Sequence, residues 1–338
     1  FKKVVISDYL AINLVDRVVA EPTSFSSVEV LAGMFGYAIQ IYCDFSGYSD
    51  VAIGVALLLG YRLKINFDAP FKASNLVEFW RRWHISLSSW LRDYIYIPLG
   101  GSRGAARVES DGARDRRRRV ALIVTILGGA ASVGATVNAI VDTNPAHDVR
   151  NMLLFLGSST LMLGGLRLTD NGSKYVNVWI TMVVCGVWHG AAWSFVLFGV
   201  VHGLAVAVTH YFYDARGKRP SDVGDAGVDA KRFAAVLVTF VFTTFTFVLI
   251  RAPLDKALLM FRQLGQLSTF TPNLTAPIVL TIAGALVMQW LPRGVTHRAR
   301  DLFIRAPAYA QAVVLFGVAL VLREAASTEA VPFVYGQF

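Results

Sequence analysis

The stretch MVVCGVWHGAAWSFVLFG, Met182 to Gly199, is almost wholly apolar, yet it carries a histidine at its middle between two tryptophans. Gly186 and Gly190 flank that residue, His189. In a soluble core the natural reading is a buried imidazole hydrogen-bonded to a backbone carbonyl. Inside a membrane the reading shifts, because ionisable groups there are expensive and tend to mark sites. Which solvent surrounds this stretch therefore decides both the fold and the meaning of the histidine.

Composition points to the membrane. Of 338 residues, 55% are hydrophobic and 16% are charged, against about a quarter charged in ordinary soluble domains. Mean hydropathy is +0.51, and the apolar residues come in long blocks separated by short charged loops. The formal charge of +9 follows a positive-inside bias in those loops better than it fits nucleic acid, which is not an expected partner. Cys43 and Cys185 lie within apolar stretches without CxxC or metal-like spacing and read as small apolar fillers. The chain starts with Phe1 and shows no signal peptide, so it reads as a piece lacking its own beginning.

Apolar segments of about 20 residues, the length that crosses hydrocarbon, occur at 30–60, 120–141, 151–168, 176–213, 233–250, 276–291 and 307–322. The run 176–213 is too long for one span and reads as two helices meeting near Gly186–Gly190. That makes seven or eight spans. Basic residues concentrate in 103–119, with seven arginines, in 214–232, with five basic residues, and in 292–306, with four arginines. Placing these loops in the cytoplasm requires two spans between 119 and 169 and two between 175 and 214, and the pattern supplies them. The C-terminus at Phe338 then lies outside. A weak self-similarity links RRVALIVTILGGAAS to NVWITMVVCGVWHGAAW, with the Trp-His pair absent from the first copy.

Between Ala69 and Gly101 the pattern is neither polar loop nor span. As one helix from about Asn75 to Tyr94, it aligns Phe79, Trp83, Leu87, Trp90, Leu91 and Tyr94 on an apolar stripe. Arg82, Ser86, Ser89 and Asp93 fall opposite. Ser74 or Asn75 suits the N-cap and Glu78 the first turn. Such a helix lies in the membrane interface. It serves either as a plain anchor or as one wall of a polar cleft that would include Arg82.

Among six histidines, His84 and His189 are the informative pair. Trp80 precedes His84 by four residues, and Trp188 and Trp193 accompany His189. Tryptophans shield an imidazole from water and keep it neutral, the state in which it can accept a proton. There is no HExxH, no pair of histidines at i,i+4, no GxSxG, no Walker loop and no GxGxxG, so no metal site is expected. The segment QIYCDFSGYSDVAIG interrupts an apolar run with Asp44, Ser46, Ser49 and Asp50. These side chains either pair with interfacial arginines such as Arg81, Arg82 or Arg92, or line a polar cavity for a hydrophilic substrate. The residues alone suit an acyltransferase or a proton-coupled transporter.

Four stretches together, YCDFSGYSDVAIG, FDAPFKASNLVEFWRRWHISLSSWLRDYIYIPLGGSRG, GVWHGAAWSFVLFGVVHGL and RAPLDKALLMF, resemble the membrane-bound O-acyltransferase (MBOAT) family. The likeness is to its bacterial branch of alginate O-acetyltransferases and teichoic-acid D-alanyl transferases. The tail VPFVYGQF is similar to that branch's ending. The resemblance implies an all-α polytopic bundle with an interfacial amphipathic helix and a central funnel. His189 matches the catalytic histidine of the WHG segment and His84 the second histidine of the WRRWH block. Asp44, Ser46, Trp188, Trp193 and Arg82 are then expected to contact substrate.

The implied reaction moves an acyl group, here acetyl, from a cytoplasmic-side donor to an extracytoplasmic polysaccharide such as alginate. The chain would be a multi-pass protein of the bacterial inner membrane. No tightly bound cofactor is expected, and the donor would be acetyl-CoA or another activated acyl carrier. A periplasmic acyl-transferring protein would be the partner, alongside the lipid bilayer. Two departures stand out: family members have further spans before the point where this chain begins, and 105–175 is an atypical insertion carrying two extra apolar runs. Otherwise 1–338 reads as a single membrane domain. The competing readings are a proton-coupled transporter or flippase with His189 and Asp44 as relay groups, and a scaffold without chemistry, against which the presence of both histidines argues.

Overall fold

The structure, a computed structural model, describes residues 1–101, 111–141, 144, 147–168, 172–217 and 229–325. The first part of the arginine-rich segment, including Arg103 and Arg107, and the tail VPFVYGQF with Phe338 lie outside the described residues. Among the described residues there is helix and no strand.

Residues 2–20 form a helical run with π-type turns that the apolar-run count passes over. Ile6, Leu10, Leu14 and Val18 recur every four residues and are all buried. They pack on the long helix α1, Ser27–Leu58. A capping box starts α1: Ser26 Oγ accepts the Glu29 N–H, and the Glu29 carboxylate accepts the Ser26 N–H at 3.0 Å. Asp44 and Asp50 do not break this helix, because lysines of the N-terminal run meet them. Lys3 Nζ lies 2.9 Å from Asp44 and Lys2 Nζ 2.7 Å from Asp50. The acids thus tie helices together, but through these lysines.

The amphipathic block is two short helices, α2 (Leu76–Arg82) and α3 (Ile85–Leu91), followed by a wider turn over Arg92–Tyr96. The expected single helix from Asn75 to Tyr94 is broken at His84, whose backbone is left-handed at φ 44° and ψ 55°. Its start is as expected, with Asn75 Oδ1 accepting the Glu78 N–H at 2.9 Å. Phe79, Trp83, Leu87 and Leu91 are buried, whereas Trp90 and Tyr94 are exposed, so the apolar stripe turns outward beyond the break.

After this block come α4 (Asp111–Val141), α5 (Asp148–Arg167), α6 (Gly172–His189), α7 (Trp193–Ala215) and α8 (Ala230–Arg251). They are followed by α9 (Leu254–Gly265), α10 (Ala276–Trp290), α11 (Arg293–Arg305) and α12 (Ala308–Ala325). Helices α4 and α5, the expected insertion, form a hairpin. Its seam is polar, with Ser132 Oγ 3.0 Å from Ser158 Oγ and Asn138 donating to Asn151 at 2.7 Å. Leu163 of α5 packs on Val200 and Leu204 of α7.

Among the described residues, α1, α7, α8 and the portion Arg119–Asn138 of α4 are long and apolar enough to cross a membrane. A fifth candidate is the bent pair Ala276–Trp290 and Gly294–Arg305, whose axes meet at 93°. The segment 292–306, read as a basic loop, is thus helical, and its arginines lie on a helix that turns away from α10. The largest core gathers residues 2–20, α1, α2, α7, α8, α9 and α10, with Phe79, Trp83, Phe198 and Phe247 at its aromatic centre.

Candidate active site

Helix α6 ends on His189, and Gly190 to Ala192 carry the chain into α7. This is the break expected near the glycine pair. The two helices approach backbone to backbone: a Cβ on Gly186 would stand 2.9 Å from the Gly199 Cα. Gly190 is equally confined, since its Cβ would come 2.5 Å from the Phe195 ring. Glycine at both positions lets Phe195 fold back over the histidine. The His189 and Phe195 rings stack at 23° with centroids 6.3 Å apart. Phe198 approaches edge-on at 6.1 Å and Trp188 at 5.0 Å.

His84 reaches the same place from the amphipathic block. Its ring meets Phe45 of α1 edge-on at 4.6 Å and Trp188 at 5.7 Å. One indole, Trp188, therefore touches both imidazoles. His84 also lines an open cavity of about 330 Å³ with Ser86, Leu87, Trp90 and Trp188. Burial, with His189 close by, pushes the His84 imidazole down to about 3, so it is neutral across the physiological range.

A third histidine, not singled out in the sequence, adjoins this pair. His202 is fully buried on α7. Its Nδ1 accepts the Trp80 indole N–H at 3.3 Å, and its Nε2 lies 2.8 Å from Thr246 Oγ1 on α8. An indole nitrogen only donates, so Nδ1 must be the bare nitrogen and Nε2–H faces the threonine. His202 is thereby spent on structure. Its ring lies 4.3 Å from that of Phe198, which also packs on His189.

The other expected site residues divide. Trp188 stands at the centre, although it is 52% exposed. Trp193 opens α7 and is 59% exposed, so the rings covering His189 are those of Trp188, Phe195 and Phe198. Arg82 sits two residues before His84, donating to Glu78 Oε1 at 2.8 Å and to the Asp68 carbonyl at 3.1 Å. Asp44 is fully buried and ion-paired with Lys3, which also holds Asp8 at 2.8 Å. Ser46 is buried on the same helix, and it is Phe45, between them, that reaches His84. Sequence reasoning passed over Phe45 because an apolar residue in an apolar run carries no signal. Among the described residues no group of three or more His, Cys, Asp and Glu side chains converges where a metal would sit.

Residues 9–109, which carry the His84 block, match the family described as MBOAT, membrane-bound O-acyltransferase family. These residues belong to the membrane-bound O-acyltransferase family. With its apolar helices, the chain that carries them is a multi-pass membrane protein. It is 30% identical over 259 residues to a peptidoglycan O-acetyltransferase of Helicobacter pylori, a match covering 76% of the chain and 35% of that relative. It is 34% identical over 209 residues to a probable alginate O-acetylase AlgI of Azotobacter vinelandii, covering 61% and 28%. A teichoic acid D-alanyltransferase of Bacillus subtilis is 44% identical over 64 residues, covering 19% and 16%. The chain thus spans about a third of the length of the curated relatives it matches.

Proposed function

We propose that this MBOAT chain is the histidine-bearing part of an O-acyltransferase, with His189 as general base and His84 in support. The observation that carries the reading is the meeting of His84 and His189 against one indole, Trp188, beside a cavity that His84 lines. In the proposed step His189 takes the proton of an acceptor hydroxyl as that oxygen attacks the carbonyl carbon of an activated acyl donor. A new C–O ester bond forms. For a thioester donor the C–S bond then breaks, and the proton passes from the imidazolium to the departing sulfur. Phe195, Phe198 and Trp188 around the ring keep water from competing with the acceptor.

Acetyl is the acyl group we favour, with acetyl-CoA or another activated carrier on the cytoplasmic side. The relatives named as acetylating peptidoglycan or alginate support an extracytoplasmic polysaccharide acceptor. We place the full protein in the bacterial inner membrane, handing its acyl group to a periplasmic transfer protein. The bias of basic segments toward the cytoplasm is the reason for placing Arg117, near the start of α4, on that side. In the same scheme α4 and α5 are a hairpin added to the family's fold.

The test uses membranes containing the full-length protein. Labelled acetyl-CoA should pass its label to an isolated surface polysaccharide. Label transfer no greater than in membranes lacking the protein would contradict the proposal.

A further inference from the structure

Helix α3 begins on a residue whose side chain does not cap it. His84 occupies the N-cap position and makes no capping bond with its side chain; the imidazole faces Phe45 and Trp188 instead. The backbone there is left-handed, a conformation that a residue with a Cβ holds only when its surroundings impose it. The constraint comes from a segment eighteen residues earlier. The Asn66 carbonyl accepts the Ile85 N–H at 3.0 Å. Asn66 Oδ1 accepts the Ser86 N–H at 3.1 Å and the Ser86 hydroxyl at 3.0 Å. On the other side of His84, the Arg82 carbonyl accepts the Asp68 N–H at 3.0 Å. Between Asn66 and Asp68, Phe67 is fixed edge-on against Phe45 at 5.1 Å and Trp83 at 5.0 Å.

We infer that Asn66 is a positioning residue for His84: it caps α3 from outside the helix, holding the left-handed turn that points the imidazole at Trp188 and the cavity. The inference rests on the reading of His84 as a participant in acyl transfer. Asn66 supplies the acceptors an N-terminal Ser, Thr, Asp or Asn would normally supply, which releases the N-cap side chain for the site. Without it the first turn of α3 has unsatisfied N–H groups, and the turn at His84 relaxes toward ordinary helical or extended backbone. The imidazole then swings off its position, a displacement that costs rate more than binding.

The test compares Asn66→Ala, Asn66→Asp, His84→Ala and the double variant Asn66→Ala/His84→Ala in the full-length protein, with labelled acetyl-CoA as donor. Asn66→Ala should lower kcat up to about 100-fold with KM for the donor little changed. Asn66→Asp keeps both acceptors and should recover most of the rate. The double variant should be no slower than His84→Ala alone, because Asn66 acts through His84. Should Asn66→Ala fail to accumulate, Asn66→Gln, which displaces the amide oxygen by one bond, should be slow in its place. A wild-type rate for Asn66→Ala, or a double variant slower by the product of the two single losses, would overturn the inference while the reading of His84 stands. A wild-type rate for His84→Ala would remove that reading and the inference with it.

Discussion

Trp80 donates its indole N–H to Nδ1 of His202 at 3.3 Å, fastening the amphipathic block to α7, while the opposite ring nitrogen faces Thr246 on α8. Three elements are joined through one neutral imidazole. Trp80→Phe should leave Nδ1 buried without its donor and destabilise the protein by about 1–3 kcal/mol. Thr246→Val should act in the same direction and Thr246→Ser should be near neutral. Thermal unfolding in detergent measures all three, and a Trp80→Phe protein melting like wild type would show that the bond contributes nothing.

Asp44 and Lys3 form the second constraint. Replacing Lys3 with Met strands a fully buried carboxylate, a change that costs about 3–5 kcal/mol for a broken buried pair. Lys3→Met/Asp44→Asn should regain part of that loss; the recovery is partial because Lys3 also pairs with Asp8. The double variant should still transfer acyl groups. Loss of transfer in a well-folded double variant would return Asp44 to the role of substrate contact.

Gly186 is confined by backbone on the neighbouring helix, whereas Gly134 on α4 has nothing within 4 Å of where a Cβ would be. Gly186→Ala should therefore push α6 from α7, lowering both membrane accumulation and transfer rate. Gly134→Ala should behave as wild type or slightly better, since alanine favours helix by about 1 kcal/mol. Equal tolerance at both positions would show that the close approach of α6 and α7 is not required.

Acidity should also weaken the fold through His84. Its imidazole is held down to about 3 in the folded protein against about 6.5 in an unfolded chain. The unfolded state therefore binds the proton first. The stability that the neutral imidazole confers is complete above about pH 6.5 and is lost progressively as pH falls toward 3. His84→Phe, which keeps a ring against Phe45 and Trp188 but cannot ionise, should lose less thermal stability between pH 7 and pH 4. An identical pH dependence in the two proteins would contradict the buried, neutral state of His84.

The sequence made the class of fold legible because membrane burial writes itself in long apolar runs, and it placed the turn between α6 and α7 at the glycines beside His189. It also brought out His84 and His189, the two histidines that the structure seats against one indole. The break at His84 was not legible. Helical periodicity runs through Trp83–Leu87 without interruption, and the left-handed turn depends on Asn66 and Asp68, which lie outside that window. The partners of Asp44 and Asp50 were missed for a similar reason. Lys2 and Lys3 belong to a helical run whose apolar spacing is regular but whose polar residues hide it from an average over twenty positions. His202 carried no signal separating it from a lipid-facing or catalytic histidine, because its two partners come from α2 and α8.

The central claim is that His189 is the base of acyl transfer. The direct measurement is the rate of labelled acetyl transfer from acetyl-CoA by wild type, His189→Ala and His84→Ala, in the full-length protein at matched membrane levels. His189→Ala should remain folded and lose about 100- to 10,000-fold in rate, the usual worth of a positioned base, with a smaller loss for His84→Ala. A rate for His189→Ala close to wild type would contradict the account and leave the histidine as a packed core residue.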